Sequence, residues 1–260
     1  MTRVALVTGA ARGIGAAIVA SLVDDGMQVV AVDSCSDDPG LRYPLSSKED
    51  LEAVAAVWPA QVRAVIADVR DAGAMADIVA ETERDFGGLD VAVAAAGAIA
   101  GGLPQWETGA DQLDVMLDVN LRGVWNLASA AVPALLRRPA PRSGRFVALA
   151  SAAGHRGLWH LAAYCAAKHA VVGLVKGLAA DLHSTGVTAV AVSPGATSTS
   201  MLAATAALYE LNDVSALADG HLVGRILQPA EIADTVRWLC SPSSSAITGT
   251  VIHADGGFTA

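Results

Sequence analysis

Short runs of small and β-branched apolar residues recur along this chain, at 4–7, 28–32, 62–67, 89–94, 145–150, 187–192 and 250–253, with longer stretches of helical character between them. Strands apolar on both faces cannot turn either face to water. Seven of them alternating with helices therefore predict a parallel sheet covered by helices on both faces, joined by right-handed crossovers. The expected class is doubly wound α/β. A length of 260 residues, 53% of them hydrophobic and only 17% charged, suits one large core, so a single domain over 1–260 is expected.

Two stretches interrupt the alternation. After the second run, residues 34–47 read S-C-S-D-D-P-G-L-R-Y-P-L-S-S, too polar and too long for an ordinary βα connection. Residues 195–228 form a longer interruption with a short helix expected over 200–210; next to the carboxyl ends of the strands such a segment is a candidate lid. The Pro- and Arg-rich stretch 137–143 reads as a surface loop.

Charge and hydropathy narrow the partners. Seventeen basic against 26 acidic residues, net −9, is the wrong sign for a surface that tracks a phosphate backbone, so no nucleic acid is expected. Mean hydropathy is high, at +0.45, yet the most apolar long stretch, 161–180, carries Lys168, His169 and Lys176, and no membrane segment is expected. The first apolar run is too short for a signal-peptide core. Cys35, Cys165 and Cys240 are far apart and form no C-x-x-C pair. These features lead us to expect a cytoplasmic protein with reduced thiols. No metal site is expected.

Directly after the first strand stands T-G-A-A-R-G-I-G, with Gly9, Gly13, Ile14 and Gly15. Glycines here let the backbone turn tightly and approach a pyrophosphate, whose charge then rests on the N–H groups opening the next helix. The strand before, the helix after, and Asp33 at the end of the second strand, 18 residues beyond Gly15, supply the context this motif needs. Asp33 can accept both ribose hydroxyls and repel a 2′-phosphate, which favours NAD over NADP; alternatively it is a solvated carboxylate capping a loop. Arg12 faces either a phosphate or the surface. Asp68 and Val69 are placed to meet an adenine ring, Asp68 with its carboxylate and Val69 with its backbone N–H; the alternative for Asp68 is an N-cap of the helix beginning near 72.

The catalytic candidates are Ser151, Tyr164, Lys168 and, upstream, Asn120. Tyr164 and Lys168, at i and i+4, share a helix face. A phenol has an ordinary pKa of about 10; the ammonium, with a positive nicotinamide ring, would lower it so that the phenol could exchange a proton with a substrate oxygen. Ser151, at the end of the fifth strand, could hold the same oxygen, and Asn120 could pin a water in a relay with the lysine. Singly, each has an ordinary alternative: a packed aromatic beside a lysine stem, a cap, a helix kink. Together with the glycine turn they form a proton-transfer set.

These elements together, T-G-A-A-R-G-I-G, Asn120, Ser151 thirteen residues before Y-C-A-A-K, S-P-G-A-T-S-T and the terminal I-T-G-T-V-I-H-A-D-G-G-F, resemble the classical short-chain dehydrogenase/reductase family over essentially the whole chain. The resemblance implies a Rossmann-type fold, NAD as cofactor and, as a rule, a homotetramer. It places Pro194, Gly195, Thr197 and Thr199 along the nicotinamide half of the cofactor with Val192 and Ala196 close by, and Ala96 and Gly97 against the adenosine ribose. The 34–47 insertion is similar to that of the mycofactocin-associated, carveol dehydrogenase-like branch, where extra residues lie over a non-exchanging NAD that an external redox carrier, mycofactocin, turns over in place. One departure is Ala95, where the family has asparagine, which puts local rigidity of the sheet in doubt. Near Ser151, His155, Trp159 and His160 could line a substrate mouth.

The expected activity is hydride transfer between nicotinamide and a secondary alcohol or ketone. Met201, Leu202, Leu208 and Leu211 in the 195–228 segment suggest a hydrophobic or alicyclic substrate. An NADP-linked 3-ketoacyl-type reductase is the runner-up, opposed by Asp33; a non-catalytic nucleotide-binding regulator would be expected to have lost one of the four catalytic residues.

Overall fold

The computed structural model describes residues 2–260. Seven strands, β1 (Val4–Thr8), β2 (Gln28–Asp33), β3 (Val62–Ile66), β4 (Val91–Ala94), β5 (Arg145–Leu149), β6 (Thr188–Pro194) and β7 (Val251–Ala254), form one parallel sheet in the order β3-β2-β1-β4-β5-β6-β7. All seven expected runs are strands, though Leu89 and Asp90 precede β4 and β6 runs on to Pro194. Helices α1 (Gly13–Asp24), α2 (Lys48–Val57), α3 (Ala72–Phe86), α4 (Ala110–Leu117), α5 (Gly123–Arg137), α6 (Ala162–Asp181), α7 (Ser200–Leu208) and α8 (Pro229–Cys240) supply the covering layers. The expected 200–210 helix is α7, two residues shorter.

Every residue of β1, β4, β5 and β6 is buried, as a sheet covered on both faces requires. Alternate side chains feed two cores. Leu6, Val30, Ala92, Phe146 and Ala189 pack against α3, α5 and α6, and Val7, Val29, Val93, Val147 and Val190 pack against α1 and α8. The chain order reverses between β1 and β4, and the crevice at the carboxyl ends of the strands there is where such folds place ligands. No helix among the described residues is long and apolar enough to cross a membrane.

At the opposite end of the sheet the polypeptide is closed by two arginines. Arg145, 1% exposed, donates to the carbonyls of Gly144, Ser241 and Pro242, and Arg3 donates to those of Cys240 and Ser143. The carbonyls of Cys240, Ser241 and Pro242 lie at or just beyond the C-terminus of α8, the end of a helix that favours cations. The first turn of α8 is closed at the other end by a capping box of Gln228 and Glu231, with Pro229 at the first helical position.

Candidate active site

Gly9 and Gly13 have φ of +67° and +59°, the left-handed region that favours glycine. A Cβ on Gly15 would lie 1.9 Å from the carbonyl oxygen of Gly9, so the turn can close only without side chains. The groove beside it is lined by Gly9, Arg12, Gly13, Ile14, Gly15, Asp33, Asp68, Val69, Ala96, Gly97 and Thr199. The structure thus brings together nearly every residue expected at the nucleotide end. Pro194, Gly195, Thr197 and Thr199 lie in the adjoining cavity with Ser151, Tyr164 and Lys168. The two spaces share Ile14, Ala95, Gly97, Thr199 and Met201.

Asp33 is held before any ligand reaches it. One carboxylate oxygen accepts from the Ala11 N–H at 3.0 Å and the other from the Ser46 hydroxyl at 2.5 Å and the Cys35 N–H at 3.3 Å. Asp68 is not a helix cap: that position belongs to Asp71, whose side chain accepts from the Ala74 N–H. The Asp68 carboxylate takes the Arg70 guanidinium in a two-pronged contact instead, and this holds it below its ordinary range against the upward push of partial burial. Arg70 also donates at 2.6 Å to Asp38, a carboxylate of the 34–47 segment. Arg12 turns to that same segment and donates to the Pro44 carbonyl. Ser46, Asp38, Arg70 and Tyr43 were not legible as site residues: their spacing follows no motif, and only the folded path of 34–47 along the groove lines them up.

At the catalytic end, Tyr164 and Lys168 lie on the buried face of α6, with the Lys168 Nζ 5.8 Å from the Tyr164 ring centroid. Burial pushes the phenol up to about 12, with the Ser151 hydroxyl beside it working in the opposite direction. Burial also pulls Lys168 down to about 8. The ammonium is directed to the Leu149 carbonyl at 2.9 Å and not at the phenol oxygen, and burial raises Tyr164 where the sequence predicts a lowering by Lys168. Ser151 starts the turn after β5, where its hydroxyl accepts from the Ala153 N–H.

Asn120 sits in a π-helical turn, Asp118–Arg122, between α4 and α5. Its amide donates to the carbonyls of Ala98 and Met116 and accepts from the Ala98 N–H. Through those bonds the side chain braces the chain after β4. The Thr8 hydroxyl accepts from the N–H groups of Ala95 and Ala96, so this stretch is braced although position 95 has no polar side chain.

The substrate-side cavity, about 350 Å³, is walled by Ile99, Leu158, Leu161, Met201, Leu202 and Leu217, with Thr205, Tyr209 and His221 as further polar groups. Those three are already partnered: Thr205 donates to the Met201 carbonyl, Tyr209 to the Trp159 carbonyl, and the two ring nitrogens of His221 pair with the Ala196 N–H and the Arg225 carbonyl. Leu208 packs in the cluster behind this wall, while Leu211 is not part of the lining. Of the three candidates near the mouth, His155 faces away and pairs with Ser193; Trp159 is 68% exposed and stacks on His160.

A nucleotide fits this groove on the protein's own terms. It offers a side-chain-free turn at a helix N-terminus, a buried carboxylate, and a buried ammonium with three donors and one protein acceptor among the described residues.

A family model described as enoyl-(acyl carrier protein) reductase matches residues 9–259. The chain belongs to the short-chain dehydrogenase/reductase family. It is 33% identical to an uncharacterized NAD-dependent oxidoreductase of Mycobacterium tuberculosis, over 98% of this chain and 95% of that one. It is 36% identical to the 3-oxoacyl-[acyl-carrier-protein] reductase of Staphylococcus aureus, over 99% and 98%. Among solved structures, carveol dehydrogenase from Mycobacterium avium in complex with NAD superposes with a TM-score of 0.93 at 29% identity, covering 99% of this chain and 97% of that one. As a member of this family the chain is an oxidoreductase that works with a nicotinamide nucleotide.

Proposed function

We propose that this short-chain oxidoreductase uses NAD to interconvert an uncharged, hydrophobic secondary alcohol, alicyclic in the manner of carveol, and its ketone. The observation that carries the reading is the convergence of Ser151, Tyr164 and Lys168 on a cavity whose other polar groups are already partnered. A substrate there finds hydrogen-bonding capacity for one oxygen and apolar wall for the rest. When bound, the nicotinamide supplies the hydride acceptor or donor. For oxidation Tyr164 would take the hydroxyl proton as the phenolate, a form that the Lys168 ammonium and a positive nicotinamide ring would favour against burial; Ser151 would orient the oxygen, and Lys168 would hold the ribose. Asn120 fixes the stretch from Gly97 to Ile99 between the two spaces.

Asp33 supports NAD, since a carboxylate lining the nucleotide groove would repel a 2′-phosphate. The likeness to the Staphylococcus aureus reductase favours a second reading, reduction of a 3-oxoacyl group. The cavity lining contains no arginine and no lysine but Lys168, which suits an uncharged substrate. The 34–47 segment acts as a strap, fastened at Asp33, Arg70, Arg12 and Ile99, and it supports a tightly held NAD that an external carrier such as mycofactocin recycles in place. The 195–228 segment acts as the substrate lid; its ends are stitched together by Ser198, Leu227 and Ala196. A cytoplasmic homotetramer agrees with the three free thiols and with the exposed Trp106, Trp125 and Trp159.

The test is Tyr164→Phe, with folding checked by circular dichroism, assayed on alicyclic secondary alcohols with an artificial electron acceptor. Loss of turnover by at least about a thousandfold is expected; survival of the rate would rule the mechanism out. Wild-type protein should carry NAD through dialysis.

A further inference from the structure

The stretch leaving β4 runs between the nucleotide groove and the substrate cavity, and four of the five amides from Ala95 to Ile99 are held by side chains. Thr8 takes those of Ala95 and Ala96, and Asn120 takes that of Ala98. The next amide, that of Ile99, donates at 3.1 Å to the phenol oxygen of Tyr43. Tyr43 comes from the strap. Its ring lines the nucleotide groove, Ile99 lines the substrate cavity, and both pack in the cluster that holds Tyr164. A bond from the cover of one space to the wall of the other makes the position of that wall depend on the cover being seated.

We infer that Tyr43 is a positioning residue: seating the strap over the nucleotide sets Ile99 in the substrate wall, so that closure over the cofactor and fit of the substrate are coupled through one phenol. This rests on the alcohol dehydrogenase reading above. Tyr43→Phe keeps the ring and leaves the Ile99 N–H, on a residue 5% exposed, without its acceptor. Asp38→Asn weakens the strap from its far end, at the Arg70 contact, without touching the wall.

Two measurements on the NAD-loaded protein test the coupling. In hydrogen exchange followed by mass spectrometry, both variants should speed exchange in the peptide covering 97–101, by about fivefold for Tyr43→Phe, the loss of one ordinary hydrogen bond. In steady-state kinetics Tyr43→Phe should raise KM for the alcohol about fivefold with kcat nearly unchanged, and the effect should vanish in an Ile99→Ala background, since the side chain that transmits it is gone. Unchanged exchange in both variants overturns the proposal, and so does a KM effect that adds independently to that of Ile99→Ala. The exchange result does not depend on having the right alcohol. Absence of turnover by the wild type would count against the functional reading, and the exchange data alone would then decide the role of Tyr43.

Discussion

Lys168 and Tyr164 show how one environment acts on two groups of opposite type. Burial disfavours whichever form is charged, so it lowers the ammonium to about 8 and raises the phenol to about 12. The consequence for stability has a definite sign. Between pH 8 and 10 the unfolded chain keeps the Lys168 proton that the folded chain gives up, so this residue makes folding more favourable as pH rises through that window. In cofactor-stripped protein, wild type should therefore gain about 2 kcal/mol relative to Lys168→Met between pH 8 and 10, measured by urea titration at each pH. Above pH 10 Tyr164 works the other way, because the folded state retains a proton that the unfolded state loses. A flat difference between wild type and Lys168→Met would show that the ammonium is better solvated than its position implies.

At the scale of the element, the strap differs from a surface loop in where its polar groups are spent. Several of its residues reach outside the segment, among them Asp38 to Arg70, Tyr43 to Ile99, Pro44 to Arg12 and Ser46 to Asp33. The Asp38 contact joins it to the turn after β3, where Arg70 also holds Asp68. Replacing Arg70 by methionine frees both carboxylates, and two like charges then face the same groove. The expected result is release of NAD about tenfold faster, followed by the fluorescence of the reduced cofactor in a chase with excess NAD; an unchanged rate would mean that the strap does not limit exit. α8, in contrast, is fixed by its caps and by the arginines at its far end, and nothing in it should alter cofactor release.

Across the whole molecule, chemistry and anchorage occupy opposite ends of the sheet. The carboxyl ends of β1, β4, β5 and β6 carry the glycine turn, Gly97, Ser151 and Pro194, while Arg3 and Arg145 close the other end. Among the described residues Arg145 is a buried cation neutralised by carbonyl dipoles and by no carboxylate within hydrogen-bonding reach, and its guanidinium is lowered by burial first and by the neighbouring Arg3 next. Arg145→Ala removes it but strands those carbonyls, which should cost about 3 kcal/mol in chemical denaturation. KM for the alcohol should stay as in wild type. A large change in KM would show that the two ends are mechanically linked.

The residue string by itself determined the class of the fold and most of the candidate site. Period and composition of seven apolar runs require a sheet buried on both faces, and the glycine turn, Asp33 and the Tyr164/Lys168 spacing are local patterns whose geometry is set within one strand, turn or helix. Contacts between distant segments were not open to that reasoning. Whether Asp68 caps a helix or grips Arg70, whether the Asn120 amide reaches Ala98, and which way His155 turns all depend on what lies across a gap that no local period encodes. The strap is the clearest case. Its length and turn residues mark it as unusual in the sequence, but only the tertiary structure carries Ser46 to Asp33 and Tyr43 to Ile99, because side-chain partners are chosen by the path of the backbone and by the need to satisfy polar groups once water has been excluded.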